Sequence, residues 1–464
     1  MPFNVKTDKY KVISTDPEGV LLKELARLTE PVLTKEDTNV VKVFTGLIGL
    51  STQLNDNALS DPKMQELIKD PNTKFDLVMV QPFLASEGGY YLAHRFKAAA
   101  ATYVTAQSHL PFVSHSVGQP FNPSYISLPM LPFVGELSFI QRVINTFACN
   151  MFEYVFRNIV MLRNVNWLLD KHFPGESRPD ILELERSVSV VFQFGHPLIL
   201  DGWAPMVPNY VQLGMMNCRP GIDFAPKDPI GDFLNNSKNG VVYMSFGTVI
   251  QGRLMTKETK QMFLNMFNKF SQYDFIWKFD EDLPNVPKNV LVSNWLPQQD
   301  ILAHPKLKVF ITHVGQSSFQ ETLCHQKPVL AIPVTGDQPI NALEAEKMGI
   351  GIALHYADLK ENELMNALDQ VLHDKKYLEA AQAMGSALND QITRPLDRAV
   401  WWIEHVMRHP KMYEGKSPVH KLAWYQYYLL DVLLFFATLI YILFTLLRFI
   451  FYKCCSRKSK VKDE

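Results

Sequence analysis

The chain reads as an α/β protein of two βα domains followed by one membrane-spanning helix, and three observations carry that reading. Short β-branched and aromatic runs, of the kind buried on both faces of a parallel sheet, alternate with segments of helical period. Pro205-Met-Val-Pro208 opens a linker that divides the alternation into two blocks. An uncharged apolar run over 432–447 stands next to a basic tail.

Phe75-Asp-Leu-Val-Met-Val80 is the first strand signal, and 87–97 behind it fits a helix, giving one βα unit. Residues 108–133, rich in proline and aromatics, fit a loop, and 139–173 fit long amphipathic helices. Residues 189–194 give another strand before the linker. The first domain is therefore placed at 1–204 and the second at 205–390. In the second, Val241-Val-Tyr-Met-Ser245, Phe275-Ile-Trp-Lys278 and Val290-Leu-Val292 alternate with helical patterns. Residues 395–408, within a tract placed at 391–428, fit a helix crossing back to the first domain.

With 464 residues there is ample chain for sizeable cores, and a formal net charge of -1 argues against nucleic acid as a partner. The five cysteines, Cys149, Cys218, Cys324, Cys454 and Cys455, lack CxxC spacing, so neither a disulfide framework nor a zinc site is expected. His405 and His409 are four apart, but Val406 stands where a zinc-protease helix needs Glu, so no metal is expected there. GxGxxG and GxxxxGK[ST] are absent.

The chemistry concentrates between Trp295 and Gln338. Val309-Phe-Ile-Thr312 is a buried strand that stops at His313-Val-Gly315-Gln316-Ser317-Ser318. Ser318 and Glu321 stand three apart, the spacing of a capping box in the first turn of a helix. A helix start at the carboxyl end of a parallel strand favours an anion, through free N–H groups and the helix dipole, and Gly315 lets the backbone come close. The run 327–333 repeats the strand signal, with Asp337-Gln338 and a helix over 340–348 behind it, so two strand ends face one cleft. Taken singly, Ser318 and Glu321 fit a structural cap, Asp337 an N-cap and Trp295 packing; the joint pattern carries more.

That pattern resembles the sugar-nucleotide signature of the UDP-glycosyltransferases, of the animal membrane-anchored UDP-glucuronosyltransferase type. The resemblance implies that Trp295 stacks on uracil and that Gln298 reads its edge. It gives the pyrophosphate to His313, Ser317 and Ser318, with Ser245 and Thr248 of Ser245-Phe-Gly-Thr248 joining them. Glu321 takes ribose hydroxyls, and Asp337 and Gln338 hold the transferred sugar. Gln316 and Ser317 stand where plant members carry Trp and Asn. The implied architecture is GT-B, two Rossmann-like domains with the acceptor on the first and the donor on the second. The implied reaction is inverting transfer of glucose or glucuronate from UDP-sugar to hydroxyls of small lipophilic acceptors. UDP-glucose or UDP-glucuronate is the co-substrate, with no cofactor and no metal, and pairing with further copies or family members is left open.

The N-terminus departs from the family. It opens Met1-Pro-Phe-Asn-Val-Lys-Thr-Asp-Lys, without an apolar signal region, and its first histidine is His94. The early His that deprotonates the acceptor is not found, so no catalytic residue is assigned. Gln81 aligns with the Asp that steadies that His, and an amide cannot stabilise an imidazolium. Glu87 fits an exposed helix-start carboxylate, with a substitute for that Asp, if the loop turns it inward, as the alternative. Transfer is the first reading and a non-catalytic UDP-sugar-binding relative the alternative; if the chain is the whole protein, donor binding with poor turnover is expected.

At the other end, 429–452 is long enough to span a bilayer, and 453–464 forms a basic tail with Lys453, Arg457, Lys458, Lys460 and Lys462. The tail should be cytosolic and the bulk lumenal. Lys460 and Lys462 resemble an endoplasmic-reticulum retrieval signal, and Asn235-Asn-Ser237 is a glycosylation sequon.

Overall fold

A computed structural model describes residues 20–35, 40–82, 86–104, 109–200, 203–413 and 417–460. They fall into two units divided after residue 414.

The larger unit holds two parallel sheets. The first runs β1 (Leu77–Val80), β2 (Ala99–Val104), β3 (Val188–Gln193) and β4 (Tyr210–Gln212), in that spatial order. Its side chains alternate between two apolar layers, as a period of two demands. Ala100 joins Val80, Tyr90 and Val165 on one face, while Ala99 and Ala101 join Val190 and Phe192 on the other. The helix Pro395–Arg408 covers that second face through Ala399 and Val406, and its Arg398 donates to the Gln212 carbonyl at 2.9 Å.

β2 and β4 were not legible as strands. Three alanines carry little strand preference, but in a central strand pressed by helices their small size lets both layers close. β4 lies inside the stretch read as linker, so the passage between sheets comes after Gln212, not at 204/205. Nor is the partition clean at the start of the chain. The helix Val20–Leu33 sends Leu33 into the core of the second domain, where Tyr356 Oη donates to its carbonyl at 3.2 Å.

The second sheet has six parallel strands in the order β10-β9-β8-β5-β6-β7: β5 (Val241–Ser245), β6 (Asp274–Lys278), β7 (Val290–Ser293), β8 (Leu307–Thr312), β9 (Val329–Ala331) and β10 (Gly351–Ala353). Val242, Met244, Val309 and Ile311 enter one core with Phe263, Phe267 and Trp277. Tyr243 and Phe310 enter the opposite one, their rings stacked at 4.8 Å. From β5 the chain proceeds outward through β6 and β7, then returns to place β8 on the other side of β5. That reversal is the topological switch point, where α/β sheets bind ligands beyond the carboxyl ends of their strands.

Glu87 is not an exposed helix-start residue. It is fully buried just before the helix Gly89–Phe96, and neither carboxylate oxygen has a hydrogen-bond partner among the described residues. Arg157 explains its position. That guanidinium, 1% exposed on the π-helical turn Met151–Met161, donates to Glu153 at 3.2 Å and to Glu185, and its charge reaches Glu87. A buried cation draws carboxylates inward that the sequence pattern assigns to solvent.

In the smaller unit, one helix spans Leu430–Lys460. Its segment Leu430–Lys453 is long and apolar enough to cross a membrane, with mean hydropathy 2.4, and is not buried by the rest of the chain. Exposed Trp424, Tyr425 and Tyr428 precede it, the residue types that favour a membrane–water interface. Lys462 lies outside the described residues.

Candidate functional site

Ser245 closes β5, Thr312 closes β8 opposite it in register, and His313 follows, so the switch point brings these residues together. The His313 ring sits in space that two glycines leave open. A Cβ on Gly247, whose φ is +75°, would meet its Cε1 at 2.7 Å, and one on Gly315 would meet its Nε2 at 2.6 Å. Gly315 thus serves the imidazole directly, a different reason from close approach to an anion. Burial, followed by the charge of Lys278, holds His313 down to about 4, so near neutral pH it is an uncharged ring.

A cleft of about 470 Å³ opens above these strand ends. Every residue the sequence assigned to uracil, ribose and phosphate lines it: Ser245, Thr248, Trp295, Gln298, His313, Gly315, Gln316, Ser317, Ser318 and Glu321. Trp295 lines the cleft and is 52% exposed, and an indole is a side chain on which a base can stack. Gln298 opens the helix Gln298–Ala303; its Nε2 donates to Glu321 at 2.6 Å and Ser318 at 3.1 Å, and its Oε1 accepts from Tyr243 at 3.2 Å. Burial raises Glu321, while Gln298 and Gln299 amides and the Arg219 charge favour its ionised form.

The expected capping box does not form. The helix runs Gln316–Cys324, three residues earlier than a Ser318 cap implied, and its N-cap is Gly315 without a side-chain cap bond. Asp337 supplies the cap from another loop: its Oδ2 accepts from the Gln316 N–H at 3.0 Å and from Asn341 at 2.8 Å. Ser318 and Glu321 are thereby free of capping and turn to Gln298. Gln338 is also engaged, its Oε1 accepting from the Val334 and Thr335 amides at 2.8 and 3.0 Å. Asp337 and Gln338 do not line the described cleft but stand behind its helix start.

Sequence reasoning missed several residues here. Arg219 grips Asp300 with two bonds of 2.7 and 2.9 Å, and its backbone N–H donates to Gln299, which in turn donates to Glu321. Asn217 donates to Ser317 at 3.1 Å. Cys218, between them, forms a disulfide with Cys324 at the end of the helix Gln316–Cys324, across a sequence separation of 106. Such a pair leaves no spacing signal, because only the tertiary fold brings it to a Cα–Cα distance of 5.8 Å. Lys278 was legible as the end of a strand but not as a wall of the cleft.

Gln81 directly follows β1, and His94 is exposed on the helix Gly89–Phe96. Among the described residues no cluster of His, Cys, Asp and Glu is arranged to hold a metal. A larger apolar groove of about 770 Å³ along the helix Phe139–Asn150 shares no lining residue with the cleft and is not assigned to acceptor.

Comparison with known proteins identifies the family and the fold. The family model for UDP-glucoronosyl and UDP-glucosyl transferase matches residues 4–461. UDP-glycosyltransferase UGT4 of Dactylopius coccus is 32% identical over 419 residues, 89% of this chain and 80% of that one. UDP-glucuronosyltransferase 2B7 of Homo sapiens is 30% identical over 422 residues, 88% and 76%. Among solved structures, the glycotransferase of kitacinnamycin aligns with TM-score 0.55 at 16% identity, covering 80% of this chain and 84% of that one. A double variant of Os79 from O. sativa, in complex with UDP, aligns at 0.51 and 16% identity, covering 83% and 86%. The fold is the expected GT-B type, and relatives named as transferases favour transfer over a purely binding relative. The chain belongs to the UDP-glucuronosyl- and UDP-glucosyltransferase family, hexosyltransferases that move a sugar from UDP to an acceptor.

Proposed function

We propose that the protein transfers glucose or glucuronate from UDP-sugar to hydroxyl groups of small lipophilic acceptors, with inversion, at the endoplasmic-reticulum membrane. One observation carries the donor half: an exposed indole, an uncharged buried histidine, two serine hydroxyls and a carboxylate meet in one cleft at the switch point. In the reaction the acceptor oxygen bonds the anomeric carbon, the opposite carbon–oxygen bond breaks with its electron pair going to UDP, and the hydroxyl proton is released. Trp295 places uracil, Glu321 accepts from ribose hydroxyls, and His313 with Ser317 and Ser318 donates to the diphosphate.

UDP at 100 times its Kd should stabilise the purified chain by about 2.7 kcal/mol through mass action. Glu321→Gln should weaken UDP roughly tenfold or more, the scale of a hydrogen bond to a charged group. A UDP analogue without ribose hydroxyls should bind both proteins alike. No thermal shift with UDP refutes the site; tight UDP binding by Glu321→Gln refutes the ribose assignment alone. Transfer from UDP-glucose against UDP-glucuronate to a phenolic acceptor then identifies the sugar.

The lumenal reading rests on the apolar helix with its basic tail, and on the disulfide, which persists in oxidising compartments. Asn235 is exposed on the last turn of the helix Pro229–Asn236, its Oδ1 3.2 Å from His304 Nε2. In microsomes the chain should carry one glycan there, removed by endoglycosidase and absent from Asn235→Gln. An unshifted gel band opposes lumenal exposure of this loop. Replacing Lys460 and Lys462 with serine should release the protein towards the cell surface if they form the retrieval signal.

A further inference from the structure

We propose that Lys278 is the cation of this cleft and binds the diphosphate of the donor, an inference that rests on the nucleotide-sugar reading above. Lys278 is the last residue of β6, the strand beside β5, and Met244 pairs with Trp277 immediately before it. Its ammonium group therefore reaches the rim at the level of Ser245, next to the switch point. Nζ donates to the Gly247 carbonyl at 2.5 Å, in the loop that makes room for His313. An ammonium has three donors, so two N–H groups remain for the cleft it lines with Thr248, His313 and Ser317.

The charge balance singles it out. Among the described residues, the cations lining the cleft are Arg219 and Lys278. Arg219 is consumed by its two bonds to Asp300. Lys278 forms no ion pair with any described carboxylate; the one whose charge favours its protonated form, Asp280, turns to the Arg253 N–H at 3.0 Å and to its side chain at 3.6 Å. A partly buried ammonium without a counter-ion is costly unless a ligand supplies one.

The rest of the cleft cannot neutralise a diphosphate. His313 is uncharged, and the first N–H of the donor helix already faces the Asp337 carboxylate, which offsets part of the helix dipole. Hydroxyls of Ser317 and Ser318 donate without adding charge. Lys278 meets the need twice: it offsets the charge of bound UDP-sugar, and when the anomeric carbon–oxygen bond breaks it faces the additional negative charge left on UDP. Lysine acts as a point charge on phosphate, so arginine can replace it in part and methionine cannot.

The test uses the full chain in detergent micelles, titrated calorimetrically with UDP and with uridine. Lys278→Met should weaken UDP roughly ten- to a hundredfold, the range for a charge-assisted hydrogen bond, while uridine binding stays within about twofold. Lys278→Arg should recover most of the UDP affinity, and raising salt should weaken UDP binding to wild type more than to Lys278→Met. Equal loss of uridine and UDP would mean that Lys278 only props the Gly247 loop, and unchanged UDP affinity would mean that it does not meet the phosphates. Either outcome overturns this inference while leaving the donor site intact. A wild-type chain that binds neither ligand overturns both.

Discussion

Arg157→Met is expected to lower the stability of the folded chain by about 3–5 kcal/mol, the cost of breaking a buried ion pair from one side. The side chain volume is nearly kept, so the loss is chiefly electrostatic. Around this single guanidinium stand Glu153 at 3.2 Å, Glu185 in direct contact and Glu87 within reach of its charge, all three carboxylates buried. Without the cation they must bind protons or open the helix. Burial already lifts Glu185 to about 7, against the attraction of Arg157, and raises Glu87 as well. A carboxylate whose folded pKa is raised contributes stability that is full below about 4.5 and is lost as pH rises through about 7. This cluster therefore makes wild type more stable at pH 5.5 than at pH 8.5. In Arg157→Met the Glu185 and Glu87 carboxyls move up further, so the deficit should be larger at pH 8.5 than at pH 5.5. Urea unfolding at the two pH values measures it. A variant within about 1 kcal/mol of wild type at both would show that water, not Arg157, solvates the cluster.

The same cluster shows where sequence reading stops. Val309-Phe-Ile-Thr312 announces a buried strand by composition alone, and the structure extends it only to Leu307–Thr312. The helix Pro395–Arg408 coincides with its sequence signal because a proline start and an amphipathic stripe are local properties. Glu87 is different. A charged residue at a helix start is ordinarily solvated, and what buries it, Arg157, lies 70 residues away on another helix. Ser318 and Glu321 fail similarly as a capping box. Their spacing suits one, but Asp337 reaches the helix start from a separate loop and frees both for Gln298. That the cleft-lining residues belong together was legible from their joint pattern and its resemblance to a family signature. How those residues hold one another in place was not, because that depends on contacts between distant segments.

Cys218–Cys324 is the contact of that kind with the largest expected effect on the site. Cys324→Ser should destabilise the fold by about 2–4 kcal/mol, since the bridge closes a long loop that an unbridged unfolded chain would leave open. Stability is only half of the expectation. The bridge pins the segment that carries Asn217 and Arg219 against the end of the donor helix, and those two residues hold Ser317, Asp300 and, through Gln299, Glu321. Loosening that segment should weaken UDP several-fold even at temperatures where the variant stays folded. Reductant supplies the control: wild type under dithiothreitol should fall to the level of Cys324→Ser, and the variant should not respond. Thiol counting on the unfolded, unreduced protein must then find two fewer reactive cysteines in wild type than the five in its sequence. If wild type instead ignores reductant and titrates all five, the two sulfurs are merely adjacent, and the donor wall is held by Arg219 and Asp300 alone. In that case the disulfide ceases to support a lumenal location, and the apolar helix with its basic tail must carry that reading unaided.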